Sequence, residues 1–223
     1  MSKERNGEMV NREAVKNTIQ IYVDIGLLKP KPVKTKESAF LWQGDRNLSV
    51  YDDQFEEAFL KHTMSEFTKK ATKWIQERNC PEYLTEVSRA IEKEEANADY
   101  WLQPESKQKM LNIVVNELIS KMADEVSSKD TGCIYMFQHK RLEELKLLFD
   151  VFKRDSRTFG LVIQKMNPYI MERGRRLVND ENLVKNPIEF TQKLLDFKFE
   201  IDEMVCQSFS NQMLFQKARD NSF

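Results

Sequence analysis

Histidine is nearly missing from this chain of 223 residues: only His62 and His139 occur, which leaves little for imidazole acid–base chemistry or metal ligation. Six glycines and six prolines exclude a loop-rich or low-complexity chain. The three cysteines, Cys80, Cys133 and Cys206, are odd in number, far apart and never in CxxC spacing, so they specify neither a disulfide framework nor a thiolate metal site. Free thiols in a reducing compartment, cytosol or nucleus, are expected. No apolar run approaches the roughly 20 residues of a membrane helix, nothing near Met1 has the apolar core of a secretory leader, and Ser2 excludes N-myristoylation. Charge of either sign is not in excess. With 35 Lys and Arg against 36 Asp and Glu, no global field recruits nucleic acid or a membrane surface, and any partner contact is local. GxGxxG, the P-loop, HExxH and GxSxG are all absent, so no enzyme, cofactor or metal site is expected.

What the chain does have is helical periodicity. Asn11 is placed to cap, and Gly26 to end, a helix whose Val15, Ile19, Tyr22 and Val23 form one stripe. Lys29-Pro30-Lys31-Pro32 opens a polar stretch that disfavours helix as far as about Asn47. A second helix is predicted from Tyr51 to Asn79, with Phe55, Phe59, Phe67, Ala71, Trp74 and Ile75 on one face. Pro81 suits the first turn of a third, carrying Leu84, Val87, Ile91, Ala98 and Leu102 until Pro104. The fourth begins near Ser106, the fifth spans about Cys133 to Arg154, and the sixth starts at Ser156 with Pro168 expected to kink or split it. Asn186 and Pro187 cap a seventh, with Ile188, Leu194, Leu195, Ile201, Met204 and Val205 inward. A short last helix carries Met213, Leu214, Phe215 and Ala218. Every long segment has the 3.6-residue period and none alternates, so the fold class is all-α. Successive long helices with short loops pack as bundles, and an elongated stack is expected: 1–28 as the last helix of a preceding repeat, 29–50 as linker, then helical repeats at 51–130 and 131–223. The apolar residues of the two terminal helices, Val15, Ile19 and Tyr22 and then Met213, Leu214 and Phe215, are expected to present faces without neighbours, driving weak self-association.

Few side chains suggest chemistry. His62 and His139 read as ordinary surface or satisfied histidines. Glu92-Lys93-Glu94-Glu95 could pair carboxylates, yet adjacent residues diverge on a helix and a solvated charged face is the preferred reading. Arg173, Arg175 and Arg176 could meet a phosphate or acidic peptide, although a solvated helix end suits them better. Trp74 reads as core. Trp42, beside Phe40 and Leu41 in the polar stretch, fits a docking patch or a local clip equally well, and no partner-binding residue is assigned.

Some literal strings say more. Lys3-Glu4-Arg5-Asn6-Gly7-Glu8-Met9-Val10-Asn11, followed by Ile19-Gln20-Ile21-Tyr22-Val23-Asp24-Ile25-Gly26-Leu27, closely resembles a segment in the amino-terminal half of cullins, the scaffolds of multi-subunit ubiquitin ligases. Tyr51, Phe55-Glu56, Phe59-Leu60 and Thr63 resemble the Y-x-x-x-F-E-x-x-F-L-x-x-T opening of the second cullin repeat. The resemblance continues through Glu82-Tyr83 and Gly132 to Tyr135, then at Asn186-Pro187 and Ser208-Phe209-Ser210-Asn211 with Phe215. Ser210 departs from it, standing where cullins usually have the first of two asparagines. The segment Lys3–Leu27 looks most like the cullin that serves F-box receptors, whereas Lys185–Phe190 also suits the one that serves BTB receptors. The resemblance implies a non-catalytic stalk of cullin repeats, from the end of the first through the third. It also implies that adaptor, substrate receptor and RING protein bind elsewhere on a full cullin. The alternative is a stand-alone truncated cullin-like protein that competes for cullin regulators. Under the resemblance Phe55, Phe59, Trp74, Leu118, Phe149, Leu194 and Ile201 stiffen the stalk through packing.

Overall fold

The computed structural model describes Arg5, residues 8–27 and residues 49–222, and among these every regular element is a helix. The polar stretch, with Trp42, lies outside the described residues. Helix α1 spans Arg12–Leu27, its first turn capped by Asn11 Oδ1, which accepts from Ala14 N at 3.0 Å. The second helical stretch starts at Ser49–Tyr51, passes through a π-helical turn at Asp52–Glu56, and continues as α2, Glu57–Glu77. Asn79 and Glu82 then form a reciprocal capping box, each side chain accepting from the other's amide at 3.0 and 3.1 Å, and start α3, Cys80–Trp101. Helix α4, Pro104–Val115, runs into a second π-turn at Asn116–Ser120. Then come α5, Ala123–Ser128, α6, Cys133–Gln138, and α7, Leu142–Phe152.

The single helix expected from Cys133 to Arg154 is therefore two. Lys140 takes φ 50°, and Arg141 N reaches back to Met136 O at 2.9 Å, a left-handed stop that ends α6 without glycine. A 3-10 turn, Ser156–Thr158, capped by Asp155, leads into α8, Phe159–Val178, which continues through Pro168. The short α9, Glu181–Val184, precedes α10, Pro187–Ser208, whose cap is Asn186 as its sequence position predicts. Helix α11 spans Met213–Ser222. Between α10 and α11, Ser210 and Asn211 both lie in the left-handed region, φ 50° and 55°. Asn211 N closes the turn on Val205 O at 3.2 Å. The serine that departs from the cullin pattern thus adopts a backbone that asparagine tolerates more readily.

The helices divide into two compact units, Met1–Glu66 with Glu92–Ile113, and Phe67–Ile91 with Val114–Phe223. The core of the first gathers Ile19, Val23, Tyr51 and Trp101, with Val15, Tyr22, Phe55 and Leu102 packed around them. Tyr22, Phe55 and Phe59 continue as a stack, centroids 6.2 and 5.5 Å apart. In the second unit Phe149, Phe159, Phe209 and Phe215 meet edge and face at 4.1–6.0 Å, geometries favoured by the ring quadrupole. Ile19 and Phe215, expected on unpartnered end faces, are buried at 4% and 0%, because each terminal helix folds its stripe into its own unit; Met213 and Leu214 do stay exposed.

Two further expectations change. Trp74 is only half-buried. On α10, Ile188, Leu194 and Leu195 are exposed rather than inward, and burial starts at Phe197 and runs through Ile201, Met204, Val205 and Ser208. No residue of α10 before Phe197 is fully buried, although Phe190 is half-buried.

Candidate functional site

Buried polar residues tie the first unit together, and the cullin-like strings supply Arg5, Tyr51, Glu56 and Thr63. Arg5, from the opening string, donates to both oxygens of Glu94 at 2.9 and 2.7 Å. It also reaches Glu66 at 3.1 Å and Thr63 at 3.2 Å. Thr63 and Glu66 share one face of α2, three residues apart, and Glu94 comes from α3. Burial alone lowers the Arg5 pKa, but the paired carboxylates of Glu94 and Glu66 outweigh it and hold the guanidinium above its usual range. Glu94 is thus not part of a solvated face: it is 5% exposed, whereas Glu92 and Lys93 point to solvent. The signal for this was present. Residue 94 falls in the gap of the stripe Leu84, Val87, Ile91, Ala98, three after Ile91 and four before Ala98, which is a core position.

A second relay ties the opening of the Y-x-x-x-F-E string to α4. Tyr51 Oη donates to Ser106 Oγ at 2.9 Å, Ser106 donates to Glu56 Oε1 at 2.7 Å, and Lys109 Nζ meets Glu56 Oε2 at 2.7 Å. Burial raises the Tyr51 pKa, with the Ser106 hydrogen bond opposing. In the second unit Glu117, in the other π-turn, is 2% exposed. It accepts from Thr68 Oγ1 at 3.0 Å and from Lys121 Nζ at 2.6 and 2.8 Å. Both π-turns therefore carry a buried glutamate, fully engaged by neighbours. Carboxylates held this way fix the elements they join against one another.

The remaining candidates separate. His62 is exposed, 3.7 Å from Glu66, and His139 lies exposed against Tyr135, ring centroids 4.3 Å apart. No group of three His, Cys, Asp or Glu that could hold a metal ion occurs among the described residues. Cys80 and Cys133 are buried and free, and desolvation pushes both thiols up to about 12, far from reactive thiolates. Trp101 is buried, its Nε1 without a hydrogen-bond partner in the structure, beside a cavity of about 10 Å³. Of the arginine cluster, Arg175 is exposed and Arg176 pairs with Glu172 at 3.0 Å. Arg173 is held by Glu200 at 2.9 Å and by Tyr169 Oη at 3.0 Å, over the Phe197 ring. That part is not a solvated helix end. On α10 the exposed Ile188, Leu195 and Phe199, spaced by seven and four, share one apolar face. No described helix is long and apolar enough to cross a membrane.

These features coincide with relationships found by comparison. The model of the cullin alpha solenoid domain matches residues 1–223. Cullin-3B of Arabidopsis thaliana is 27% identical over 222 residues, covering 99% of this chain and 28% of its own length. Cullin-3 of Dictyostelium discoideum is 26% identical over 224 residues, 100% of this chain and 27% of its own. Putative cullin-like protein 2 of A. thaliana is 24% identical over 221 residues, 97% of this chain and 52% of its own. The chain therefore spans little more than a quarter of the first two relatives and about half of the third. The solenoid match covers the whole chain, and the buried relays join residues of its cullin-like strings. The chain belongs to the cullin family.

Proposed function

We propose that this chain acts as a non-catalytic scaffold segment of a cullin-RING ubiquitin ligase, a helical stalk that separates the substrate-receptor end from the RING end. The observation that carries the reading is the solenoid match over residues 1–223. The described residues give it a physical basis. Helices joined by buried, multiply bonded ion pairs resist bending, and a stiff spacer fixes the distance between two bound partners, and so their effective concentration, better than a flexible tether. The partners are proteins, adaptor or substrate receptor and RING subunit, held by other parts of a longer cullin, and the setting is cytoplasm or nucleus. In a reconstituted ligation assay, the chain alone should support no ubiquitin transfer. A full-length cullin carrying this segment should bring down adaptor and RING subunits on purification. Transfer by the isolated chain would overturn the reading.

A second reading, a stand-alone truncated cullin-like protein that competes for cullin regulators, is favoured by the shorter relative, of which this chain matches 52%. The transcript downstream of Phe223 separates the two: a reading frame that continues into a cullin carboxy-terminal domain supports the scaffold, and a stop supports the competitor.

A further inference from the structure

In the second unit, α6, the Lys140 turn and α8 enclose an open groove of about 550 Å³, within the range of roughly 300–1,000 Å³ typical of binding sites. Its apolar lining is Ile134, Pro168 and Tyr169, and its charged lining is Lys140, Glu172, Arg173 and Arg176. Tyr169 is fixed, its hydroxyl donating to Phe137 O at 3.0 Å and accepting from Arg173. Glu200 is shared, meeting Lys140 at 2.7 Å and Arg173 at 2.9 Å, while Glu172 meets only Arg176. Three cations thus face two carboxylates, and the excess is positive. The rim cations stay accessible, the Lys140 and Arg176 side chains being 58% and 75% exposed. Two more observations mark the place. Lys140 occupies the left-handed region, φ 50°, a conformation disfavoured for a side chain of this kind. Ile134, which lines the groove, is a large apolar residue left in solvent at 40%.

The geometry points to this groove as the docking site of an acidic linear segment of a partner protein, which sets an apolar side chain on Ile134, Pro168 and Tyr169 and its carboxylates against Lys140 and Arg176. Charge complementarity selects that occupant. A carboxylate meets the net positive charge of the rim and adds charge-assisted hydrogen bonds to Lys140 and Arg176, whose exposed side chains keep donors free beyond their ion pairs, whereas a purely apolar peptide does neither.

The test uses the whole chain and a fluorescein-labelled peptide of alternating glutamates around a central phenylalanine, with its glutamine counterpart, read by fluorescence anisotropy. The acidic peptide should bind at least about tenfold more tightly than the glutamine one and weaken as salt rises. Arg176→Glu and Lys140→Ala should each weaken it several-fold. Arg175→Glu, the same charge reversal on the same helix but outside the groove, should leave it unchanged. All three positions are exposed, and matching melting curves will show that the variants fold; Arg176→Glu alone suffices if the turn proves sensitive. Absence of binding, equal binding of the glutamine peptide, or equal weakening by Arg175→Glu would each overturn the assignment.

Discussion

Replacing Arg5 by methionine is the sharpest perturbation of the first unit. The arginine side chain is 4% exposed and that of Glu94 6%, so the substitution leaves a carboxylate in a low-dielectric site stripped of its hydrogen bonds at 2.9 and 2.7 Å. Glu66, 13% exposed, loses a contact at 3.1 Å as well. Breaking a buried pair from one side costs about 3–5 kcal/mol, a large fraction of the roughly 5–15 kcal/mol that holds a domain together. At about 2–4 °C per kcal/mol for a chain of this size, the unit should melt roughly 6–20 °C lower. Urea unfolding followed by Trp101 fluorescence, in a background with Trp42 and Trp74 replaced by phenylalanine, isolates the relevant transition because Trp101 lies in this core. Adding Glu94→Met should restore much of the loss, since a well-packed apolar replacement of an ion pair is often close to neutral. A single-variant loss below about 1 kcal/mol, typical of a surface pair, or a double variant no better than the single, would refute the buried-clamp account.

Three other outcomes are expected. Ile201→Asp, at a fully buried position, should unfold the second unit by burying an unpaired carboxylate, while Ile188→Asp on the same helix, at a position 85% exposed, should change stability by no more than about 0.5 kcal/mol; equal thermal melts would undo the register assigned to α10. Gly132→Ala should cost about 1–3 kcal/mol in denaturant titration, because a Cβ there would sit 2.5 Å from Ser127 O and 2.8 Å from Lys129 O, both backbone atoms. Asp155 is held at about 2 by the Arg157 side chain, with burial opposing and Ser120 assisting. A depressed carboxylate stabilises above its unfolded value near 3.9, and that stabilisation disappears as pH falls through about 2. The deficit of Asp155→Asn should therefore be present near neutrality, shrink as pH falls below about 3.9 and be lost below about 2; a deficit independent of pH would show that the charge is not what matters.

Much of this fold is legible in the sequence because helix signals are local. Asn11 and Asn186 cap where their positions predict, and the stripes of α2 and α3 pick the buried Phe67, Ala71, Ile75, Val87 and Ile91. Leu194 shows the limit. It lies seven residues before Ile201 and points the same way, but periodicity gives the direction of a side chain and not whether another helix extends far enough to meet it. Lys140 shows another: nothing in a run of Cys133 to Phe152 marks a non-glycine residue for a left-handed stop, since Gln138-His139-Lys140 contains neither glycine nor asparagine. The Arg5 cluster was half-legible, as the gap at Glu94 in an apolar stripe marks a buried acid, but its partner is separated by 89 residues, and no local pattern carries that pairing.

The two π-turns have an evolutionary corollary. In an α-helix of 3.6 residues per turn, positions five apart point to different sides. Here Glu57 N bonds to Asp52 O and Lys121 N to Asn116 O, five-residue steps that each absorb one residue beyond the α repeat. A one-residue deletion within Asp52–Glu56 that spares Glu56 would restore an ordinary helix and, because the turn had absorbed that residue, leave Tyr51 in nearly its present phase relative to Glu57, its hydroxyl still toward Ser106. In an alignment of relatives, a single gap at either stretch therefore marks a helix that has lost its π-turn with its phase intact, and not a trimmed loop.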